Sequence, residues 1–282
     1  AIFTNDVFVL YLDGDKASKR LRDRLVGSVR GLTEREHRRP VPSYLREVDE
    51  GRFAGAQKVF IHVPKTGGHS IFNAVAAKSI RPIYVRRGTE LDLATPHLSA
   101  CDLIGGHFPY HVFRSRLGPA RYFAILRDPL ERLISAAGHA RRPDMDIATL
   151  SPALRLLRTI PLRHFVDRKE GITELRLQHW MLTGSFHPSS ELMKQRLEEI
   201  TVGTLEGMDR YLSNRGQFLD VAFADFPRLN VTPKRSTLVP PEEIEELVRT
   251  HGDLFEDAQD LYRMVRRQEV GGSEDTTLAP LG

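Results

Sequence analysis

Val59-Phe60-Ile61-His62-Val63-Pro64-Lys65-Thr66-Gly67-Gly68-His69-Ser70 is an apolar run that breaks into a basic, glycine-paired, hydroxyl-rich turn. Val59, Phe60, Ile61 and Val63 suit a buried strand, because β-branched and aromatic side chains pack well on a pleated surface. Pro64 ends that strand by withholding a donor and fixing φ. Gly67 and Gly68 let the backbone turn its N–H groups inward, and residues 71–78 continue as a helix. A strand, a glycine turn and a helix N-terminus form an anion cradle, since unpaired amide donors and the helix dipole point at one spot. Lys65 adds a full charge, and Thr66 and Ser70 add hydroxyl donors. The anion this pattern predicts is a phosphate.

The order of residues in the loop narrows the choice. A Walker A loop places its lysine after the glycines, at the helix start. Lys65 precedes Gly67 and Gly68, so the usual nucleotide-triphosphatase reading does not fit. A second signal is Tyr122-Phe123-Ala124-Ile125-Leu126-Arg127-Asp128-Pro129-Leu130-Glu131-Arg132-Leu133-Ile134-Ser135. Another short apolar strand (123–126) delivers a cation to its C-terminal end, and Asp128 with Pro129 opens a helix. Open α/β sheets bind ligands at the carboxyl ends of their strands, which brings Lys65 and Arg127 towards one crevice. Ser135 follows Arg127 by about two helical turns, so the two meet only on a ligand lying along the helix flank. The arginine fork suits bidentate contact with phosphate oxygens. Taken alone, this segment reads equally well as a capped amphipathic helix with Arg132 solvated.

The rest of the chain alternates strands and helices. Val7–Leu12 reads as a strand and residues 16–30 as a charged helix, followed by an irregular, charged, proline-containing connection to about residue 56. Residues 82–85 and 102–105 are further strands, 152–199 are mainly helical, and 240–267 form one or two final helices. Such alternation argues for an α/β fold, a central parallel sheet flanked by helices. The division expected is an extension over 1–56, one domain over 57–268 and a disordered tail over 269–282.

Composition agrees with a soluble enzyme. The 282 residues carry a net charge of +4, and arginine outnumbers lysine. A basic balance suits nucleic acid, acidic membranes or an anionic substrate. The charge is dispersed and no nucleic-acid module is recognisable, so no nucleic-acid partner is expected. Arg86, Arg87, Arg114, Arg116, Arg141, Arg142 and Arg155 are candidates for extending a basic groove, each of them equally readable as a solvated surface residue. No apolar stretch approaches the roughly 20 residues that span a bilayer, and the opening residues lack a signal-like core. Cys101 is the sole cysteine and reads as packing. No histidine spacing suggests a metal site.

Pro-Lys-Thr-Gly-Gly-His-Ser at 64–70 resembles the 5′-phosphosulfate loop of sulfotransferases that use PAPS (3′-phosphoadenosine 5′-phosphosulfate). Arg-Asp-Pro-Leu-Glu-Arg-Leu-Ile-Ser at 127–135 looks like the 3′-phosphate motif of the same enzymes, in the family's order. The nearest resemblance is to the heparan sulfate and uronyl 2-O-sulfotransferase group and its bacterial relatives. Weaker echoes lie at 175–178, 202–208, 229–235 and 254–262, so the likeness runs from about 57 to 266.

That resemblance implies a P-loop-like nucleotide-binding sulfotransferase fold with PAPS as co-substrate. It places the 5′-phosphosulfate on Lys65, Thr66, Gly67, Gly68, His69 and Ser70, and the 3′-phosphate on Arg127 and Ser135. Lys234 and Arg235 would close the nucleotide site, and Lys65 would meet the charge developing on the bridging oxygen. A hydroxyl acceptor needs a base, and Gly105-Gly106-His107-Phe108-Pro109-Tyr110-His111 carries two histidines beyond a predicted strand. A Gly-His motif at this place supplies the base in the 2-O-sulfotransferases, which assigns it to His107. His111 is the reserve, His69 a third choice, and His62 a packed strand residue. The family more often has a small or hydroxylated residue where His69 stands. A carbohydrate hydroxyl is the acceptor the resemblance favours, and a cytoplasmic bacterial enzyme is the simplest setting. Two other classes stay open: another phosphate-handling enzyme such as a kinase, and a nucleotide-binding protein of this fold without turnover.

Overall fold

The computed structural model describes residues 57–85, 88, 91, 95–222 and 235–271. The expected strand and helix before residue 56, and the segments 229–234 and 272–282, lie outside the described residues. Five strands form one parallel sheet: β1 (Lys58–Ile61), β2 (Pro82–Val85), β3 (Leu103–Gly106), β4 (Arg121–Leu126) and β5 (Ile200–Thr204). Their order is β2-β3-β1-β4-β5. β1 is therefore central, with Ile61 level with Gly106 of β3 on one side and Ala124 of β4 on the other. The loops that leave β1, β3 and β4 emerge side by side at one end of the sheet, the place where an open α/β sheet takes its ligand.

The strands read as continuous apolar runs because both faces are covered. One face packs Val59, Ile61, Ile104, Tyr122, Ala124, Leu126 and Val202 against helices. The other packs Phe60, Leu103, Phe123 and Ile125 against Ile71, Phe72, Val75, Met208 and Tyr211. The helices following β1 and β3 are α1 (Gly68–Ala76) and α2 (Tyr110–Leu117). After β4 come α3 (Pro129–Ala140), α4 (Pro152–Thr159), α5 (Leu162–Val166), α6 (Lys169–Leu175), α7 (Leu177–Thr183) and α8 (Ser190–Glu199). The chain ends through α9 (Met208–Asn214), α10 (Arg235–Leu238), α11 (Pro241–Ala258) and α12 (Asp260–Gly271). Residues of α3 to α6 and α11 enclose a further apolar core of their own. Among the described residues no helix is long and apolar enough to cross a membrane.

The sequence expectations hold in outline and shift at their edges. α1 starts at Gly68, three residues before Ile71, because Gly67 caps it with a left-handed backbone of φ 75°. β3 starts at Leu103 and leaves Asp102 outside, where its carboxylate accepts the Ile80 and Arg81 N–H groups at 2.7 and 2.8 Å. Asp128 does cap α3, accepting the Glu131 N–H at 3.0 Å. The one or two final helices expected over 240–267 are two, α11 ending at Ala258 and α12 starting at Asp260, and the segment 254–262 spans their junction.

Arg132 departs most from a solvated reading, since it is fully buried. Its Nη1 donates to Glu174 Oε1 at 2.8 Å and its Nη2 to the Glu174 carbonyl. Removing one member of such a pair strands the other charge away from water. Arg132→Ala should therefore lower unfolding free energy by about 3–5 kcal/mol, while Arg132→Met with Glu174→Leu should recover most of it. Urea denaturation checks both, and equal losses in the single and double variants would remove the pair as a determinant of stability.

Candidate functional site

Lys65 lies between the end of β1 and the start of α1 with φ 70°, one of two non-glycine residues with positive φ among those described. Side chains with a Cβ rarely adopt that conformation, and it concentrates at functional sites. Thr66 holds the turn from inside: it is fully buried, and its Oγ1 donates to the Val63 carbonyl at 2.8 Å. Its hydroxyl hydrogen is thus committed to the Val63 carbonyl within the loop and is not offered to a ligand. Gly67 is exposed and left-handed, and no side chain caps α1. The N-terminus of this nine-residue helix accordingly turns its dipole, unscreened by a side-chain cap, towards an anion. Gly68 meets a different demand, because a Cβ there would stand 2.1 Å from His62 Cδ2.

Arg127 joins the exit of β4 to this loop. Its Nη1 donates to the Lys65 carbonyl at 3.4 Å and its Nη2 to Glu131 Oε2 at 3.1 Å. Along α3 the residues from 131 onward are buried except Glu131, Ser135 and His139, which form one half-exposed stripe at four-residue spacing. Ser135 therefore shares the face on which Glu131 meets Arg127. His139, next along the stripe, escaped the sequence reading; its i+4 spacing from Ser135 was the available signal. Burial, with Lys65 and Arg142 nearby and Asp144 opposing, holds its imidazole down to about 4. Burial also pushes the Lys65 ammonium down to about 8, assisted by Arg127, Arg142 and Arg132 and opposed by Glu174. One lysine thus sits among several arginines.

Histidines gather on the side of β2 and β3. His62 is buried and stacks on His107 with ring centroids 4.2 Å apart. Its Nδ1 is bonded to the Tyr84 hydroxyl. The exposed His69 ring stands edge-on to His62 at 5.0 Å and lies 6.4 Å from His107. His107 Nδ1 lies 2.8 Å from the His62 carbonyl. A carbonyl only accepts, so Nδ1 carries the hydrogen and Nε2 is the basic nitrogen of the neutral ring. Burial lowers His107 to about 4, with the His62 carbonyl opposing and His69 assisting. Burial likewise drives His62 well below the usual range, with His107, His69 and Lys65 adding to it. The imidazoles pack ring on ring, and among the described residues no three His, Cys, Asp or Glu side chains are placed to hold a metal ion.

The structure thus brings Lys65, Thr66, Gly67, Gly68, His69, Ser70, Arg127, Ser135 and His107 to one end of the sheet. His111 turns elsewhere, with its ring 6.4 Å from Trp180 and against Gly184. Lys234 lies outside the described residues, and Arg235 opens α10. Arg141, a groove candidate, is instead an internal brace: it donates to the Leu157, Leu238 and Ile160 carbonyls and to both carboxylate oxygens of Glu243. Arg155 is committed to the Leu150 and Ala148 carbonyls. A depression of about 310 Å³, lined by Arg121, Tyr122, Glu199, Thr201 and Phe218 among others, lies at the opposite ends of β4 and β5 and contains none of the site residues.

No protein-family model matches this chain, and no curated protein matches it. The chemistry of the crevice is read from its own residues. Because the folded chain keeps His62, His107 and His139 neutral while the unfolded chain protonates them below about pH 6.5, acidification through that window favours unfolding. Imidazole resonances should place the His107 titration near 4, and the urea midpoint should fall between pH 6.5 and 4. A His107 titration near its ordinary value would contradict the packing described.

Proposed function

We propose that the chain is a sulfotransferase that moves a sulfuryl group from PAPS to an acceptor hydroxyl, with a carbohydrate as the favoured acceptor class. The observation that carries this reading is Lys65, half-buried, whose carbonyl accepts from Arg127 while its ammonium has no hydrogen bond or ion pair among the described residues. It stands beside an uncapped helix N-terminus and the Arg127 guanidinium. A charge kept out of water in this way calls for a counter-ion, and the whole constellation favours a multiply charged anion. Geometry thus supports the anion, and the resemblance of residues 64–70 and 127–135 to the PAPS motifs supplies its identity.

In this reading the amides of the loop and the start of α1 hold the 5′-phosphosulfate. Arg127, with Ser135 further along the same flank, takes the 3′-phosphate. The bond from sulfur to the bridging phosphate oxygen breaks as the acceptor oxygen bonds to sulfur. The Lys65 ammonium meets the negative charge that grows on the bridging oxygen, a contact that strengthens towards the transition state. His107 Nε2 takes the acceptor proton, and PAP (the desulfonated nucleotide) and a sulfate ester leave. A base of low pKa is always deprotonated at neutral pH but pulls weakly, so proton transfer accompanies bond formation and does not precede it.

Calorimetric titration tests the donor. PAP should bind, and Lys65→Ala and Arg127→Ala should each weaken it by about 10- to 100-fold, the worth of a charge-assisted hydrogen bond. Tight ATP binding without any response to PAP would sink the proposal in favour of a kinase-like enzyme. Turnover against an acceptor panel, followed by the mass gain of one SO3 group, tests the chemistry. His107→Ala should abolish it while PAP still binds, which also separates an enzyme from a binding protein of this fold. The free-enzyme profile of kcat/KM should fall below about pH 4 as His107 protonates and above about pH 8 as Lys65 loses its charge. A single limb near pH 6.5 would remove His107 as the base.

A further inference from the structure

We infer that Gln178 is a positioning residue for the anion site, holding the main chain of Arg127 so that the guanidinium enters the crevice from a fixed origin. This rests on the reading of Arg127 as an anion ligand. Gln178 Oε1 accepts the Arg127 N–H at 2.9 Å, and Gln178 Nε2 donates to the Arg127 carbonyl at 2.8 Å. The side chain is 2% exposed, so water does not compete for either bond. The Gln side chain carries the same planar amide, with a carbonyl acceptor and an N–H donor side by side, that a peptide does. The amide therefore acts as one extra rung of sheet where the ladder stops: β4 last pairs with β5 at Leu126 and Thr204, and Arg127 is the next residue.

The amide is itself anchored. Four residues earlier, Glu174 is locked to Arg132, so residues 127 and 132 of one segment bracket 178 and 174 of the other. On the far side His179 pairs through Nε2 with Asp260, the first residue of α12. Gln178 is thus held by neighbours on α3 and α12, and the last link in that set of contacts is the backbone that carries the Arg127 side chain. Loss of the amide would free the Arg127 peptide to rotate, and the guanidinium would have to be ordered afresh with each ligand bound.

A mutant cycle separates this role from simple support of the fold. Affinity for PAP is measured by calorimetry on the full chain, with ADP and inorganic pyrophosphate as parallel probes. Gln178→Leu should weaken PAP about tenfold. The double variant Arg127→Ala with Gln178→Leu should bind within roughly twofold of Arg127→Ala alone, since residues that act through one another are not additive. Additive losses, or wild-type affinity in a folded Gln178→Leu chain, overturn the inference. Should Gln178→Leu fail to fold, Gln178→Glu decides: it keeps the acceptor and loses the donor, so its PAP affinity should drop and the drop should vanish in the Arg127→Ala background. If the wild-type chain ignores PAP but binds ADP or pyrophosphate, the donor reading fails and the same cycle on that ligand still judges the clamp. A wild-type chain that binds none of the three overturns both.

Discussion

Lys65 carries a charge on backbone that turns left-handed between a strand buried from Val59 onward and an uncapped helix. Such a conformation costs on the order of 1–3 kcal/mol for a residue with a side chain, so the surroundings must over-determine it. They do so from three directions. The Thr66 hydroxyl draws the turn back onto the Val63 carbonyl, Gly67 makes a second left-handed step that a Cβ would resist, and Gly68 lets the His62 ring fill the space behind. With φ reversed at Lys65, its carbonyl points across to Arg127, and the exits of β1 and β4 become one wall. The same His62 that packs against Gly68 offers its carbonyl to His107, so the loop that turns the lysine also sets which nitrogen of the histidine is basic.

Several arginines brace the helical layer beside the sheet. Short helices leave many carbonyls without intrahelical partners, and a guanidinium reaches several at once where an ammonium is a point charge. Arg158 Nη1 alone serves the Ala140, Arg142 and Met145 carbonyls, and Arg141 ties the ends of α3, α4 and α10 to Glu243 of α11. Arg141 and Arg158 thus brace the fold from within the helical layer. Held by them, α3 presents a narrow stripe of Glu131, Ser135 and His139 on a helix otherwise buried from residue 131 onward.

What the sequence made legible is local. The strand before Pro64, the glycine turn, the Asp128 cap and the parallel α/β alternation each follow from neighbours in the chain, and each stands in the fold. Partners distant in sequence stayed hidden. Nothing near Arg132 announces Glu174, 42 residues away, and nothing near Arg127 announces Gln178, 51 residues away. His62 read as a packed strand residue, and it is one, but its stacking on His107 arises only because β3 lies beside β1. His69 makes its ring contacts with His62, Tyr84 and His107, a grouping no spacing in the sequence encodes.

The crevice therefore has two electrostatic halves, and they respond differently to an incoming anion. The imidazoles are kept neutral chiefly by burial, with each other as the next influence, so phosphate charge alters them little unless it comes close. Lys65 is different: after burial, the influences that weaken its ammonium are Arg127, Arg142 and Arg132. An anion lying between these cations cancels the repulsion and adds attraction, which moves the lysine back towards its ordinary range. By linkage, whatever raises the lysine's proton affinity binds more tightly to the protonated form. Anion binding and the charge on Lys65 thus reinforce one another, and the ammonium is held most firmly when the anion is in place.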